Sequence, residues 1–317
     1  MKVASNLNDL IGQTPMLELK RLFPESKSLV LAKLELFNPT SIKDRPVLNM
    51  VQAAVHEGLI NEETEVVEAS SGNTAIALAS LGAVMGFRVR VYMSELASVE
   101  RRQMLCAYGA KVIVTPGNEH TRGARDRAKE YCLANPRKAI FLNQHGNPNN
   151  GAAHEEHTAQ EIWQQTAGKI GALVIGLGTS GTFEGMSRFM KNRDPNIKIV
   201  GFEPASCPVY SGGKQGKHSL IGIGPGFITE NFERSKQFLD ELILVEDEAA
   251  YTWTRLIAKR EGLLVGPTSG ASALVAGELA ERQEFENRTI VCFFYDRGER
   301  YLTTPGLFPE NLVEIMK

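Results

Sequence analysis

Short apolar, β-branched runs alternate along the chain with longer stretches whose apolar residues recur every three or four positions. These are the signatures of strands and of helices buried on one face. In the first half, "TEVVEAS" (64–70) leads into a helical "TAIALASLGAVMG", "RVRVYM" (88–93) into "SVERRQMLCAYG", and "KVIVTP" (111–116) into "GARDRAKEYCLA", with "AIFLNQ" at 139–144 closing the series. After a helical "HTAQEIWQQTAG", a second series runs through "ALVIGLG" (172–178), a helix from about residue 182, "KIVGFEP" (198–204), "LILVED" (242–247), a helix to about residue 260, and "TIVCFFYD" (289–296). Strands joined through helices pair in parallel, so the pattern predicts two α/β units meeting near residue 145. In such sheets ligands bind at the carboxyl ends of the strands.

One more helix follows "NPTSIKDRP" (38–46), with Val47, Leu48, Met50, Val51, Ala54 and Val55 as its apolar positions. Asn38-Pro39 favours a turn, Ser41 is a capping candidate and Pro46 suits a first helical turn. Lys43 therefore sits at a helix start, where the helix dipole disfavours a cation. The plain reading is a surface lysine near a cap.

Composition narrows the function classes. With 317 residues, 43% apolar and 23% charged, the chain suits a globular enzyme of about two domains. A net charge of −2 gives no bulk attraction to nucleic acid or to an anionic membrane. No apolar run is long enough to span a bilayer, and "MKVASNLNDLIG" lacks the pattern of a secretory signal. Cys106, Cys132, Cys207 and Cys292 are far apart with no zinc-type spacing, so no metal site is expected. Cys106 and Cys292 have apolar neighbours and are expected as reduced core residues, which points to the cytoplasm.

Three polar turns lie at predicted strand ends. "GTSGT" (178–182) joins two glycines and three hydroxyls to a helix start, a cradle for phosphate; it lacks the Lys-Ser/Thr pair of a P-loop and differs from a dinucleotide fingerprint. "EASSGNT" (68–74) places Ser70, Ser71, Asn73 and Thr74 where they can hold a carboxylate, although an N-cap at Ser71 or Asn73 would explain one of them. "VGPTSGASA" (265–273) brings Thr268 and Ser269 to another helix start, where capping is again the simpler account. One chemistry uses all of these together with Lys43. Pyridoxal phosphate needs an amine for its aldehyde, a cradle for its phosphate and partners for its ring, and an amino-acid substrate needs a site for its carboxylate.

The chain also resembles the fold-type II pyridoxal-phosphate enzymes with tryptophan synthase β-like architecture, in particular the cysteine synthase (O-acetylserine sulfhydrylase) and cystathionine β-synthase group. The matching stretches include "IGQTPM" (11–16), "AKLELFNPTSIKDRP" (32–46), "VEASSGNTAIAL" (67–78), "ERRQMLCAYGA" (100–110) and "NQHGNPNN" (143–150). They continue with "EIWQQTAG" (161–168), "GLGTSGT" (176–182), "EPASCPVYSGGKQGKH" (203–218), "IGIGPGF" (221–227) and "DRGERYL" (296–302).

The resemblance implies that Lys43 holds the cofactor as an imine and carries the proton at the substrate α-carbon. It implies Asn73 at the ring hydroxyl, Gly178, Thr179, Ser180, Gly181 and Thr182 around the phosphate, and Thr268 at the pyridine nitrogen, where a neutral hydroxyl favours β-elimination and replacement. Ser70, Ser71, Gly72, Thr74 and Gln144 would hold the substrate carboxylate. The chain departs from the pattern in several places. The lysine loop is one residue shorter than the usual Asn-Pro-x-Gly-Ser-x-Lys, Ser70 replaces Thr, Ala75 replaces Gly, Ala159-Gln160 replace the Gly-Pro of the Thr-Gly-Pro-Glu-Ile form, and His145 stands where an aromatic is usual. His145 is open to reading as a substrate contact, a proton carrier or a polar piece of wall.

The function expected from the resemblance is L-cysteine synthesis from O-acetyl-L-serine and sulfide through an α-aminoacrylate intermediate. Alternatives are β-replacement from O-phosphoserine or serine, or with another thiol or amine. The shortened loop leaves an inactive scaffold of the same fold as the non-enzymatic alternative. The architecture expected is a smaller, mobile domain over 40–145 and a larger one from 1–39 and 146–317 carrying the phosphate site, with the N-terminal segment packed on the larger and a homodimer overall.

Overall fold

The computed structural model describes residues 3–308, so the extreme ends of the larger expected domain lie outside it. Ten strands occur among the described residues: β1 (Met16–Glu18), β2 (Leu29–Leu34), β3 (Glu65–Ala69), β4 (Arg88–Ser94), β5 (Lys111–Thr115), β6 (Ala139–Phe141), β7 (Ala172–Gly176), β8 (Lys198–Pro204), β9 (Glu241–Val245) and β10 (Thr289–Phe294). They form two sheets, one of six strands in the order β1-β2-β10-β7-β8-β9 and one of four in the order β5-β4-β3-β6. The helices are α1 (Asp44–His56), α2 (Asn73–Met85), α3 (Val99–Ala107), α4 (His120–Ala134), α5 (Pro148–Ala153), α6 (Ala159–Gln165), α7 (Gly181–Arg193), α8 (Glu230–Glu233), α9 (Asp247–Glu261) and α10 (Pro267–Ala280).

The fold is α/β with two parallel sheets, as the alternation predicts, with one exception. β1 pairs antiparallel with β2, Met16 opposite Lys33, a hairpin that the helix–strand alternation does not register. β2 in turn runs parallel to β10, Cys292 opposite Ala32, so chain segments from opposite ends of the sequence share the centre of the sheet. β7 is buried along its whole length, consistent with a strand covered on both faces. The four-stranded sheet has separate apolar layers. Val66 packs with α1 and α2 residues such as Met50 and Ala75, whereas Val67 and Ala69 face Ala124 and Ala128 of α4. That split follows from the two-residue period of a strand.

Several local expectations are corrected. The strand expected at 139–144 stops at Phe141, because Asn143 turns into the left-handed region at φ 54°. The helix expected from 157 begins instead as a π-turn, His154–Thr158, before α6. Cys106 is exposed rather than in the core: on α3 only Arg101 and Leu105 are buried, and the neighbouring position points to solvent. Cys292 is buried as expected, and all four cysteines are unpaired. The N-terminal segment touches both sheets' layers, since Ile11 packs with the core around α1 and α2 while Gln13 N donates to Glu161 Oε1 at 2.9 Å. Among the described residues no helix is long and apolar enough to cross a membrane, and no cluster of His, Cys, Asp or Glu is arranged to hold a metal.

Candidate active site

The carboxyl ends of β2, β3, β6, β7 and β10 converge on one cleft. Its outer chamber, about 240 Å³, is lined by Lys43, by Ser70, Ser71, Gly72, Asn73 and Thr74, by Gln144 and by Gly178 and Thr179. A deeper chamber of about 30 Å³ is bounded by Lys43, Asn73, Ser180, Thr182, Thr268 and Asp296. Every residue expected at the site from sequence borders one of these chambers except Gly181, which lies within the turn behind them.

Lys43 immediately precedes α1 and makes no side-chain cap. The capping expected of Ser41 is limited to accepting the Lys43 amide at 3.2 Å. What shapes this loop is Asp44, whose carboxylate accepts the amides of Thr40 at 2.6 Å and Ser41 at 3.1 Å, and the Thr40 hydroxyl. Ile42 N donates to Tyr295 O at 3.0 Å, which fastens the loop to the end of β10 and sets Lys43 opposite Asp296. Burial lowers the Lys43 amine from 10.5 to about 8, with the Asp296 carboxylate opposing the shift. Because an amine attacks an aldehyde only when neutral, uptake of an aldehyde by the apoprotein is expected to quicken with pH and level off above about 8. Stopped-flow absorbance would follow it; a rate still climbing towards the ordinary lysine range would contradict this environment for Lys43.

The turn at 70–74 is not an ordinary cap. The N-cap of α2 is Gly72, and no side chain caps it; Ser70 Oγ instead accepts the Gly72 amide at 3.2 Å. The amides at the start of α2 have no helical carbonyl to bind, and the helix dipole makes that end attractive to an anion. Thr74 Oγ1 donates to Gln144 Oε1 at 2.5 Å, which turns the Gln144 amide nitrogen towards Ala69 O at 3.3 Å. The Gln144 backbone N–H in turn donates to the buried Glu68 Oε2 at 3.0 Å.

Ser180 carries the sharp turn between β7 and α7 at φ 62°, and again no side chain caps the helix. A Cβ at Gly178 would run into the Gly222 carbonyl, and one at Gly181 into the Asn150 amide. Glycine is required at both. The turn is held from behind by Tyr210, whose hydroxyl donates to Gly178 O at 2.7 Å, and by Asn231, whose Nδ2 donates to Thr179 O at 2.8 Å. Thr182 Oγ1 lies 3.3 Å from His154 Nε2, a ring that burial, with Lys43 and Arg45, keeps neutral.

Thr268 Oγ1 donates to Ile221 O at 2.9 Å and borders the deeper chamber, where the same hydroxyl can rotate to donate to a bound group. His145 is buried against Phe227, ring centroids 5.1 Å apart, with Nδ1 unpartnered. Burial, followed by Arg125, Lys43 and Lys129, lowers its pKa to about 3. The ring is therefore neutral at physiological pH and faces the cleft as a donor and an acceptor rather than as a cation.

Residues 7–296 match the family described as pyridoxal-phosphate dependent enzyme. The chain belongs to that family. It is 42% identical over 308 residues to a probable cysteine synthase of Bacillus subtilis, covering 96% of this chain and 98% of the relative. Among solved structures, a cysteine synthase from Entamoeba histolytica superposes with a TM-score of 0.91 at 39% identity, covering 96% of this chain and 90% of the other. An O-acetylserine dependent cystathionine β-synthase from Helicobacter pylori gives 0.91 at 34% identity, covering 98% and 100%.

This pyridoxal-phosphate dependent enzyme has the donor set its cofactor needs: a neutralisable amine, an anion cradle with no room for side chains, and polar groups left without partners. Asn150 Oδ1 and Asp296 Oδ1 are both buried and unpartnered. The residues fit the group. The sequence expectations give no role to Asp296, Asn150, Tyr210 or Asn231. Asp296 could have been found from its place at the carboxyl end of the last apolar strand run; the others carry no local signal.

Proposed function

We propose that the enzyme catalyses β-replacement on an amino acid and makes L-cysteine from O-acetyl-L-serine and sulfide. The observation that carries this is the Lys43 amine, lowered to about 8, facing the same chamber as the anion-binding turn at 70–74. Pyridoxal phosphate, when bound, supplies the electron sink that stabilises negative charge at the α-carbon. Gly178, Thr179, Ser180, Gly181 and Thr182 would hold its phosphate through the α7 N-terminus, while Asn73 and Thr268 would address its ring. Ser70, Ser71, Gly72, Thr74 and Gln144 hold the substrate carboxylate, and Lys43 takes the α-proton and later returns it. Thr268 brings a hydroxyl rather than a charge to the ring nitrogen, which suits replacement at the β-carbon.

A second reading, a carboxylate-bearing thiol or amine as nucleophile, is favoured by one feature. A vestibule of about 550 Å³ adjoins the cleft, shares Thr121 and His218 with it, and carries Lys217 and Gln215. That is more room than sulfide requires. We further propose a homodimer, a mobile unit over 40–145 that closes on the substrate, and a cytoplasmic location, for which the four unpaired cysteines speak.

Steady-state assays with O-acetylserine, O-phosphoserine and serine, each with sulfide and then with homocysteine, test these readings. Cysteine from O-acetylserine and sulfide at the highest kcat/KM is the expected result. No cysteine from any of the three removes the leading proposal, and a preference for homocysteine promotes the second.

A further inference from the structure

Asn73 is held at both ends. Its Oδ1 accepts from Arg300 Nη1 at 2.7 Å, and its Nδ2 donates to Asp296 Oδ2 at 2.6 Å. An asparagine amide has two ends of nearly the same size and opposite polarity, so shape alone cannot orient it. Here the partners can. A guanidinium only donates, and although burial raises the Asp296 carboxyl, its Oδ2 accepts both the Asn73 amide and the Tyr301 hydroxyl and so faces Asn73 as an acceptor.

We infer that Arg300 and Asp296 are positioning residues that fix the nitrogen end of the Asn73 amide towards the cofactor. The inference rests on the proposed reading of Asn73 as the partner of the cofactor's ring oxygen. One Nδ2–H is spent on Asp296, and the second remains for the cleft, both chambers of which Asn73 lines. That donor suits a ring oxygen carrying negative charge. The reversed amide would set oxygen against oxygen there, and would also bury an NH₂ against Arg300 and a carbonyl against Asp296.

The lock is built into the protein rather than left to chance. Asp296 is only 2% exposed, and its Oδ2 also accepts the Tyr301 hydroxyl. Arg101 lies over the Tyr301 ring at 5.4 Å and donates from Nη1 to Ser71 O at 3.1 Å. The segment after β10 therefore grips the 70–74 turn on two sides, and Arg300 and Asp296 reach the amide from a part of the chain remote in sequence. Charge-assisted bonds of this kind are the strong ones, so the amide is not free to flip.

The test uses purified holoenzyme and two readouts besides turnover: the visible absorption band of the bound cofactor and its affinity by equilibrium dialysis. Arg300→Met is expected to weaken cofactor binding several-fold and to shift the band, because protonation of the ring oxygen governs the chromophore. Arg300→Lys, which keeps a cationic donor, is expected to restore both. A spectrum and affinity of Arg300→Met equal to the wild type, or a change that lysine does not restore, overturns the inference. Should Arg300→Met fail to fold, Asp296→Asn decides: its amide has the same shape but can donate as well as accept, and an unshifted band overturns the lock. A wild-type protein that takes up no cofactor would sink the reading of the site itself, so the two failures are distinct.

Discussion

Lys43→Ala is expected to lower turnover at least about a thousandfold, some 4 kcal/mol in the barrier, while leaving the protein folded. The two halves of this expectation have different physical origins. Loss of turnover follows from the proton-transfer role proposed for Lys43, whose amine lines the outer chamber, while the flanking Asp44 and Arg45 are both committed elsewhere. Retention of the fold follows because the amine contributes little to stability. It is placed at the start of α1 without a cap bond, where the dipole disfavours a cation, and burial already pulls its pKa down to about 8. Removing it costs no satisfied hydrogen bond. Circular dichroism and a melting curve would report the fold, and the visible band of the cofactor should be lost together with activity. A variant retaining more than about a tenth of wild-type turnover would refute a proton-transfer role, since such groups usually contribute at least a hundredfold.

The sequence revealed the parts of this enzyme that are set by local pattern. Strand runs followed by polar turns located 70–74 and 178–182, because at a strand's carboxyl end the chain must turn and the next helix must begin. Joint occurrence with Lys43 then suggested one chemistry, which no single turn could do. What stayed hidden depends on distant partners. The β1–β2 hairpin joins the larger sheet only through β10, nearly the whole chain away. Tyr210, Asn150 and Asn231 brace the turn at 178–182 from three separate segments, and none has a pattern that distinguishes it from a surface polar residue. Cys106 is exposed despite its apolar neighbours because neighbours in sequence are not neighbours on a helix face. Asp296 has the position of a site residue at a strand's carboxyl end, but its partner Asn73 comes to it only where the start of α2 meets the chain just after β10.

The charges behind Lys43 were equally invisible, and they carry the second large effect. Arg45 donates from Nε to Glu35 Oε2 at 2.7 Å and from Nη1 to Glu161 Oε1 at 2.6 Å; Glu35 is fully buried. Lys33, also fully buried, reaches Glu161 Oε2 at 2.7 Å. Burial alone would raise the Glu161 carboxyl, but Arg45 and Lys33 outweigh it and hold it at about 2. Arg45→Met should therefore destabilise the protein by about 3–5 kcal/mol, because it strands the Glu35 carboxylate in the interior rather than merely deleting an attraction. The melting temperature should fall by on the order of 10 °C. Adding Glu35→Gln should recover part of the loss, since the stranded charge is then gone, and a double-mutant cycle by thermal melting measures this. Equal losses in the single and double variants would contradict the argument. The two expectations separate chemistry from support within one helical turn: at position 43 activity vanishes and stability stays, whereas at position 45 stability falls and activity follows only as far as the folded fraction and the placement of Lys43 allow.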